Sequence, residues 1–185
     1  PAVTETTTYT ITCTNAFGTD VKSRTVIVAA VTPPPPPPPT TVGNLISPHT
    51  NFGSSDPADW IKGGWGTNLI DFSVATTGRT DSSSLRVALS SYTNGDAKWF
   101  FTPVAITGSS TYSYSHWYKS DAPTSLVLEY TLTGGQKTYT WLGNENASPN
   151  WTQKSITLTP PPNVARVTIN HVLKQNGTLE TDDFS

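Results

Sequence analysis

Residues 33–39 are seven consecutive prolines, and threonines stand on both sides of the run. Proline has a fixed φ and no backbone N–H, so such a run adopts extended polyproline II instead of helix or sheet. At ~3.1 Å per residue it forms a stiff spacer of about 20 Å. The alternative is a ligand for the aromatic groove of an adaptor domain. The run predicts two units, residues 1–30 and 43–185, joined by a rigid proline-rich linker over residues 31–42.

The composition excludes two kinds of partner and indicates a fold class. Only 13% of the 185 residues are charged, the net charge is −2, and the 11 Lys and Arg residues are scattered. No basic stripe is therefore available for nucleic acid, and no apolar run approaches the ~18 residues of a membrane span. Many β-branched and aromatic residues, separated by Gly and Pro, predict an all-β protein. Low charge with much Thr and Ser is typical of secreted bacterial proteins, so we expect secretion or display on a bacterial cell surface.

The first unit has the pattern of a β-hairpin. Thr6–Cys13 and Arg24–Val28 are predicted strands, and Asn15–Asp20 supplies the turn residues. An isolated hairpin is marginal in water. Apolar residues alternate with threonines in the first strand, so one face of the hairpin is expected to need a cover.

This segment resembles the last two strands of bacterial immunoglobulin-like domains. The resemblance implies that Cys13 bonds to an earlier cysteine, which would lie upstream of Pro1; burial as a small apolar side chain is the alternative. The sequence opens at Pro1 and contains no methionine, which predicts a mature product or a piece of a longer chain. Residues 1–30 are expected either to complete a sandwich in a longer protein or to pair with another chain, which would give self-association through the hairpin.

The second unit contains eight segments with the length and alternation of β-strands, separated by Gly, Asn, Pro or Ser turns. They are Leu85–Ser90, Ala97–Phe101, Thr111–Lys119, Leu126–Leu132, Thr138–Leu142, Lys154–Leu158, Ala165–Leu173 and Leu179–Phe184. No stretch has a convincing helical period. Short alternating strands in this number predict a β-sandwich, of the jelly-roll type or a similar one.

The sequence contains no recognisable catalytic pattern. The three histidines, His49, His116 and His171, lack H-x-x-x-H spacing, and no nucleophile elbow, phosphate-binding loop or dinucleotide fingerprint is present. Two carboxylates at a suitable separation in space would suffice for a glycosidase, but most aspartates lie near turns, where solvated and capping roles are usual. We therefore expect that the protein is not an enzyme.

Five segments of the second unit resemble the motifs of one protein family and occur in the same order as in that family. They are Asn44–Ser47 (NLIS), Asp59-Trp60 with Gly64-Trp65, Ser83–Val87 (SSLRV), Thr111–Ser120 (TYSYSHWYKS) and Leu179–Ser185 (LETDDFS). Together they resemble the jelly-roll carbohydrate-binding modules that accompany cellulases and xylanases. The resemblance implies a non-catalytic module that binds a polysaccharide or cell-surface glycan, within a larger secreted bacterial protein such as a carbohydrate-active enzyme. Three features depart from the family: Ser47-Pro48-His49 interrupts the opening motif, Gly53 replaces a glutamate, and the final leucine is missing.

The aromatic residues supply candidates for a glycan-binding site, because the C–H faces of sugar rings pack on aromatic planes. Trp117 alternates with tyrosines and shares a strand face with small serines, and Glu129 alternates with leucines. We therefore expect Trp117 and Glu129 on the non-core face of neighbouring strands, joined by Trp99 and Trp141. Core packing is the alternative for each tryptophan.

A structural Ca²⁺ is a further implication of the resemblance, because in that family the ion often ties the N-terminal strand to the acidic end of the last strand. The candidate ligands are Asp182 and Asp183, which offer the hard oxygens that Ca²⁺ prefers. Alternation lets only one of the two point inward, and the family pattern favours Asp183. The alternative is a solvated acidic strand end.

A structural or adhesive role is the alternative function. A module of an extracellular surface fibre would use the same sandwich as a spacer and assemble through strand pairing. The two functions predict different surfaces. A glycan-binding module presents an aromatic strip on one face, whereas a fibre module presents an unpaired strand edge.

Overall fold

The computed structural model describes residues 7–26, 43–53 and 57–185, and these form thirteen β-strands. The chain divides into two units, Pro1–Thr41 and Val42–Ser185. The proline run lies outside the described residues, so its role as a spacer stays a prediction. Because the described part consists of strands and loops, it holds no helix of the length and hydropathy that a membrane span requires.

The first unit contains an antiparallel hairpin of β1 (Thr7–Asn15) and β2 (Gly18–Val26). The turn has only two residues, so the second strand begins at Gly18 and not at the predicted Arg24. Hydroxyl side chains bond in pairs across one face, and these pairs are Thr8–Thr25, Thr10–Ser23 and Thr14–Thr19. Such pairs stabilise cross-strand register.

The opposite face of the hairpin carries the apolar side chains of β1, whereas Val21 of β2 lies on the hydroxyl face, opposite Thr12. Tyr9 and Ile11 are exposed on this opposite face, the turn residue Phe17 is 99% exposed, and the thiol of Cys13 is free and exposed. The alternative of Cys13 as a buried apolar side chain is therefore wrong. The alternation predicted that another element covers this face, and within the part of the hairpin that the structure describes these side chains are exposed.

The second unit is a sandwich of two antiparallel sheets. The front sheet contains β3 (Trp60–Trp65), β6 (Asp96–Phe101), β7 (Val104–Ala105), β9 (Thr124–Leu132), β10 (Lys137–Glu145) and β12 (Val164–Leu173). The back sheet contains β4 (Leu69–Ala75), β5 (Ser84–Ser90), β8 (Tyr112–Ser120), β11 (Ser148–Leu158) and β13 (Gly177–Asp182). The strand order is β10-β9-β12-β6-β3 in the front sheet, with β7 beside β12, and β11-β8-β13-β5-β4 in the back sheet. The predicted all-β sandwich is confirmed.

Alternation along the strands places the core between the sheets. Leu85, Val87 and Leu89 of β5 are buried from the back, and Leu126 and Leu128 of β9 are buried from the front. An aromatic cluster closes one end of the core and consists of Phe52, Trp60, Phe101 and Phe184. Because inward residues alternate with outward ones, each sheet also presents an outer face. We call the outer face of the front sheet the front face.

A histidine pair joins the two sheets inside the core. His116 of β8 and His171 of β12 are buried, with 2.7 Å between Nε2 of His116 and Nδ1 of His171. The other ring nitrogen of His171 lies 2.6 Å from Oγ1 of Thr124, and the His116 ring stacks on Phe184 at 5.5 Å. Burial, followed by the charge of Lys154, lowers the pKa of His116 to about 3. Burial, followed by the charge of His116, lowers the pKa of His171 well below its usual value. Both rings are therefore neutral at pH 7, and they pack as part of the core.

Three strands of the sandwich were absent from the sequence-based prediction: β3, β4 and the two-residue β7. β3 contains Gly63 and Gly64, and β4 is one of the sheet edges. Glycines and partial exposure weaken the alternation that marks a strand. At the other end of the chain, the last strand stops at Asp182 and not at the predicted Phe184, because Asp183 has a positive φ of 49°.

Candidate functional site

The front face carries two exposed aromatic rings on one edge strand. Tyr139 and Trp141 occupy alternate positions of β10, where they pair with Glu129 and Val127 of β9. Their side chains are 62% and 60% exposed. Large aromatic groups on a sheet edge normally turn toward a core or a partner. The two rings, at alternate positions of one strand and both in solvent, form an exposed apolar surface that we call the platform.

A buried carboxylate lies beside this platform. Glu129 is directed away from the core, yet it is only 5% exposed. Its Oε1 is 2.7 Å from the Nζ of Lys137 on β10, and the hydrogen bond to Glu129 raises the pKa of Lys137. A carboxylate that is recessed on an outer face and held by one lysine keeps acceptor capacity for a hydroxyl group.

Polar side chains continue across the floor of the front face. Asn170 of β12 is buried, and its Nδ2 donates to the carbonyl oxygen of Val127 at 3.4 Å. Within the described residues no hydrogen bond to its Oδ1 occurs, so this oxygen remains an acceptor. Ser125 beside it donates to Asn144 Oδ1 at 2.8 Å. Buried polar atoms of this kind are what gives a ligand site its specificity.

A third exposed aromatic ring stands at the opposite edge of the same sheet. Trp65 ends β3 and is 63% exposed, and its indole Nε1 donates to Asp96 Oδ2 at 3.0 Å. The other oxygen of Asp96 lies 2.6 Å from Lys98 Nζ. The two front-face carboxylates described so far, Asp96 and Glu129, thus each form an ion pair with a lysine.

The four predicted glycan-binding residues do not lie together. Trp141 and Glu129 are neighbours on the front face, on strands that pair. Trp117 lies on β8, and β8 belongs to the back sheet, so the prediction that Trp117 and Glu129 occupy neighbouring strands is wrong. Trp99 is buried in the core at 5% exposure, with its Nε1 donating to the carbonyl oxygen of Arg86. Only Trp141 and Glu129 of the four contribute to one surface.

Trp117 instead supports a charged side chain on the back sheet. It does point away from the core, as alternation predicted, but the guanidinium carbon of Arg79 lies 3.6 Å from its ring centroid. Arg79 also forms an ion pair with Asp183 at 2.7 Å. A cation stacked on the ring face occupies the surface that a sugar would need.

Three aspartates meet next to Trp117. Carboxylate oxygens of Asp81, Asp182 and Asp183 all lie within 4.8 Å of one another. Asp182 is fully buried, whereas Asp183 is partly exposed and bonds to Arg79 and Thr80. The structure therefore buries Asp182 and not Asp183, which the family pattern favoured, because the positive φ of Asp183 interrupts the alternation.

The acidic cluster concentrates negative charge. Burial raises the pKa of Asp182 to about 6; backbone N–H groups of Arg79 and Asp183 oppose this rise, and the charges of Asp183 and Asp81 add to it. Burial also pushes the pKa of Asp183 upward, but hydrogen bonds from Arg79, Thr80 and Thr50 outweigh it, so that this pKa is lowered.

The surroundings of the cluster fit a hard cation. Gly78 borders it so closely that an added Cβ would lie 2.6 Å from Asp81 Oδ1 and 2.8 Å from Asp182 Oδ2. Thr50 of the N-terminal segment donates to Asp81. Ca²⁺ prefers hard oxygen ligands such as these carboxylates, and here they join the β4–β5 loop to the end of β13.

Sequence reasoning missed Tyr139, Asn170 and Trp65. The alternation in Thr138–Leu142 puts Tyr139 on the face of Trp141 and was the signal available for it. A lone amide among the apolar residues of β12 was the signal for Asn170. No signal marked Trp65 as exposed, because its strand itself was not recognised.

No family model and no curated protein matches this sequence. Solved structures do match it. The bacteriophage CBA120 tailspike protein 4 enzymatically active domain has a TM-score of 0.64 at 16% identity, over 76% of this chain but only 21% of that one. The CBM22-1 xylan-binding domain from Paenibacillus barcinonensis Xyn10C has a TM-score of 0.54 at 13% identity, over 74% and 88%. A family 16 carbohydrate-binding module has a TM-score of 0.52 at 18% identity, over 77% and 98%.

These likenesses, all below 25% identity, concern the fold. The chain spans about a fifth of the tailspike domain, whereas it spans most of each of the two binding modules. The second unit of this protein therefore has the jelly-roll sandwich fold that carbohydrate-binding modules have.

Proposed function

We propose that the second unit is a non-catalytic module that binds a polysaccharide through the front face. The observation that carries this proposal is the platform of Tyr139 and Trp141 beside the recessed acceptors Glu129 and Asn170. Stacked apolar sugar faces would meet the rings, and sugar hydroxyl groups would meet the carboxylate and the amide. The structural likeness to modules whose names state xylan binding supports a polysaccharide as the ligand class.

The wider setting of the module is part of the same proposal. We infer that the chain belongs to a larger secreted bacterial protein, such as a carbohydrate-active enzyme, in which it keeps the protein on its substrate. Low charge and a proline run between two β units support this setting. A second, catalytic unit would supply any reaction, because the front-face carboxylates are held in ion pairs.

The Trp141→Ala variant tests the proposed site. We expect its affinity for soluble xylan or glucomannan, measured by affinity electrophoresis, to fall about tenfold or more, because a stacked ring contributes roughly 1–2 kcal/mol to binding. Its melting temperature should change little, since the ring is exposed. Trp117→Ala on the back sheet is the matched control and should bind as the wild type does. If only Trp117→Ala loses binding, the site lies on the back sheet and the proposal fails.

A structural Ca²⁺ at the acidic cluster is a second proposal. Asp81, Asp182 and Asp183 would hold the ion, which would neutralise their mutual repulsion. At a concentration of 100 times Kd a ligand adds about 2.7 kcal/mol to stability. We therefore expect 1 mM CaCl₂ to raise the melting temperature by about 5 °C or more over EDTA.

The Asp182→Asn variant is the control for the metal experiment. It should melt at the same temperature in CaCl₂ and in EDTA, because one ligand charge is gone. Equal melting of the wild type in both buffers would show that the cluster holds no structural Ca²⁺.

The exposed hairpin supports the alternative function, a structural or adhesive module of a surface fibre. Both strands of the hairpin are sheet edges that can pair with another chain, and the exposed Ile11 and Phe17 favour contact with an apolar surface. In sedimentation velocity, a fibre subunit shows mass that rises with concentration, and Ile11→Lys should abolish that rise. A monomer at every concentration would leave the hairpin without a role in self-association.

A further inference from the structure

Trp65 is an exposed ring on a rigid support. Its indole N–H is fixed by Asp96, whose other oxygen is fixed by Lys98. Mobile surface tryptophans have no such bracing, and the loss of side-chain freedom on binding is smaller for a ring that is already held. The ring therefore stands ready to contact a ligand.

The backbone around Trp65 is built to hold it in place. Gly66 and Gly95 have φ values of 100° and 102°, and a Cβ on Gly95 would lie 1.8 Å from the Trp65 carbonyl oxygen. Asn68 Nδ2 donates to that oxygen at 3.0 Å and to the Asn94 carbonyl oxygen at 2.9 Å. Two loops are thus joined directly behind the ring, in a conformation that glycine accommodates without strain.

Trp65 and Trp141 point to the same side of one sheet. Trp65 pairs with Asp96, and its neighbour Gly64 faces the core, where an added Cβ would meet Ile70 of the back sheet. Trp65 is therefore on the front face, as Trp141 is. The two rings stand on β3 and β10, the two edge strands of the front sheet.

The register gives the distance between the Cα atoms of the two residues. Trp141 pairs with Val127, and Val127 pairs with Asn170. The β12–β6 register places Asn170 opposite Phe100, and Phe100 pairs with Ile61. Four strand spacings measure about 19 Å, and the four residues from Ile61 to Trp65 add about 13 Å along the strand, so the Cα atoms of Trp65 and Trp141 are roughly 23 Å apart.

We propose that Trp65 is a second aromatic contact for the same polysaccharide chain, which crosses the front face diagonally from Trp141 on β10 to Trp65 on β3. This inference rests on the proposed function. It assigns to the protein a preference for long glycan chains, because a disaccharide cannot bridge ~23 Å whereas a chain of several sugar rings can. The site would bind internal stretches of a polysaccharide and not its ends, since both edges of the sheet are open.

The surface between the two rings carries both apolar and hydrogen-bonding groups. Phe100 and Lys98 are half-buried on β6 and cover Gly63 of β3, where an added Cβ would approach Phe100 Cε1 to 2.8 Å and Lys98 Cε to 3.2 Å. Asn170 of β12 lies beside the diagonal, in the same row as Trp141. An apolar ring, an ammonium group and an amide are thus available to a chain between Trp141 and Trp65.

Oligosaccharides of increasing length test the proposal on the full chain. Xylo-, cello- and manno-oligosaccharides from disaccharide to hexasaccharide are titrated by calorimetry into the wild type, Trp65→Ala, Trp65→Phe and Trp141→Ala. We expect Trp65→Ala to weaken binding of the hexasaccharide about tenfold and to leave binding of the shortest ligand unchanged. Trp65→Phe should restore most of the affinity, and Trp141→Ala should weaken ligands of every length.

Three other results separate the ways in which the inference can fail. Hexasaccharide affinity that is equal in Trp65→Ala and the wild type, while Trp141→Ala loses it, leaves the proposed function intact and overturns the role of Trp65. If Trp65→Ala weakens the affinity for short and long ligands equally, both rings contact the same part of the ligand. This result also overturns the proposed role of Trp65. If the wild type binds none of these oligosaccharides or their parent polysaccharides, the proposed function falls, and this inference falls with it.

Discussion

The Trp99→Ala variant is expected to lose about 3–5 kcal/mol of unfolding free energy, the usual cost of removing a buried tryptophan side chain. Trp99 packs edge-on against Phe72 of the back sheet, with ring centroids 5.5 Å apart. Its Nε1 donates to the Arg86 carbonyl oxygen of β5 at 3.0 Å. The side chain thus joins the two sheets through both a ring contact and a hydrogen bond. Urea unfolding followed by circular dichroism measures the loss.

Trp117→Ala is the control that makes this result specific. Trp117 is half-buried under Arg79, and its removal should cost only roughly 1–2 kcal/mol, the size of a partly desolvated cation–π contact with its packing. A Trp99→Ala variant of unchanged stability and lost glycan affinity would contradict the core position and support the role that the sequence suggested for Trp99.

The second large effect concerns acid. The pKa of His116 falls to about 3 in the folded protein and that of His171 falls well below its usual value, both chiefly through burial. An unfolded histidine titrates near 6.5, so below this pH the unfolded chain takes up protons that the folded chain refuses. The stability that the two neutral histidines contribute is fully present above pH 6.5 and is lost as pH falls toward about 3. Each histidine contributes about 1.4 kcal/mol per pH unit to this loss.

The His116→Phe variant isolates this contribution. Its unfolding free energy should fall between pH 6.5 and pH 4.5 by roughly 2 kcal/mol less than that of the wild type, since one titrating group is gone. The pKa of Asp182 is raised to about 6, so its contribution to the unfolding free energy increases as pH falls. This contribution is the same in both proteins and cancels in the comparison. Equal pH slopes in urea titrations of the two proteins would show that the histidine pair is already charged in the fold.

Alternation within single strands was predictable from sequence, and pairing between strands was not. It placed Trp117 outside the core and Glu129 on the face opposite the leucines, as the structure does. It did not reveal that β8 and β9, consecutive in the chain, enter different sheets. A short connection usually joins paired strands, and here the connection of three residues, Asp121–Pro123, crosses the sandwich.

Trp99 and Trp65 show two further limits of the sequence. β6 alternates Asp96 and Lys98 with Ala97 and Trp99, so the polar pair marks the outer face and assigns Trp99 to the core. This alternation covers only four residues and is followed by Phe100 and Phe101, so it did not decide the position of Trp99. Trp65, in contrast, is exposed because a loop junction formed by distant residues holds it, and no local pattern encodes such a junction.

The ends of the sandwich lie together in space. Asn44 Nδ2 donates to the Phe184 carbonyl oxygen at 2.6 Å, and the Phe184 N–H donates to the His49 carbonyl oxygen at 2.8 Å. The first and last segments of the sandwich therefore lie at one corner of it. A force that pulled these two segments apart would act first on the few hydrogen bonds at this corner. The strand pairs that carry Trp65, Tyr139 and Trp141 do not include these bonds.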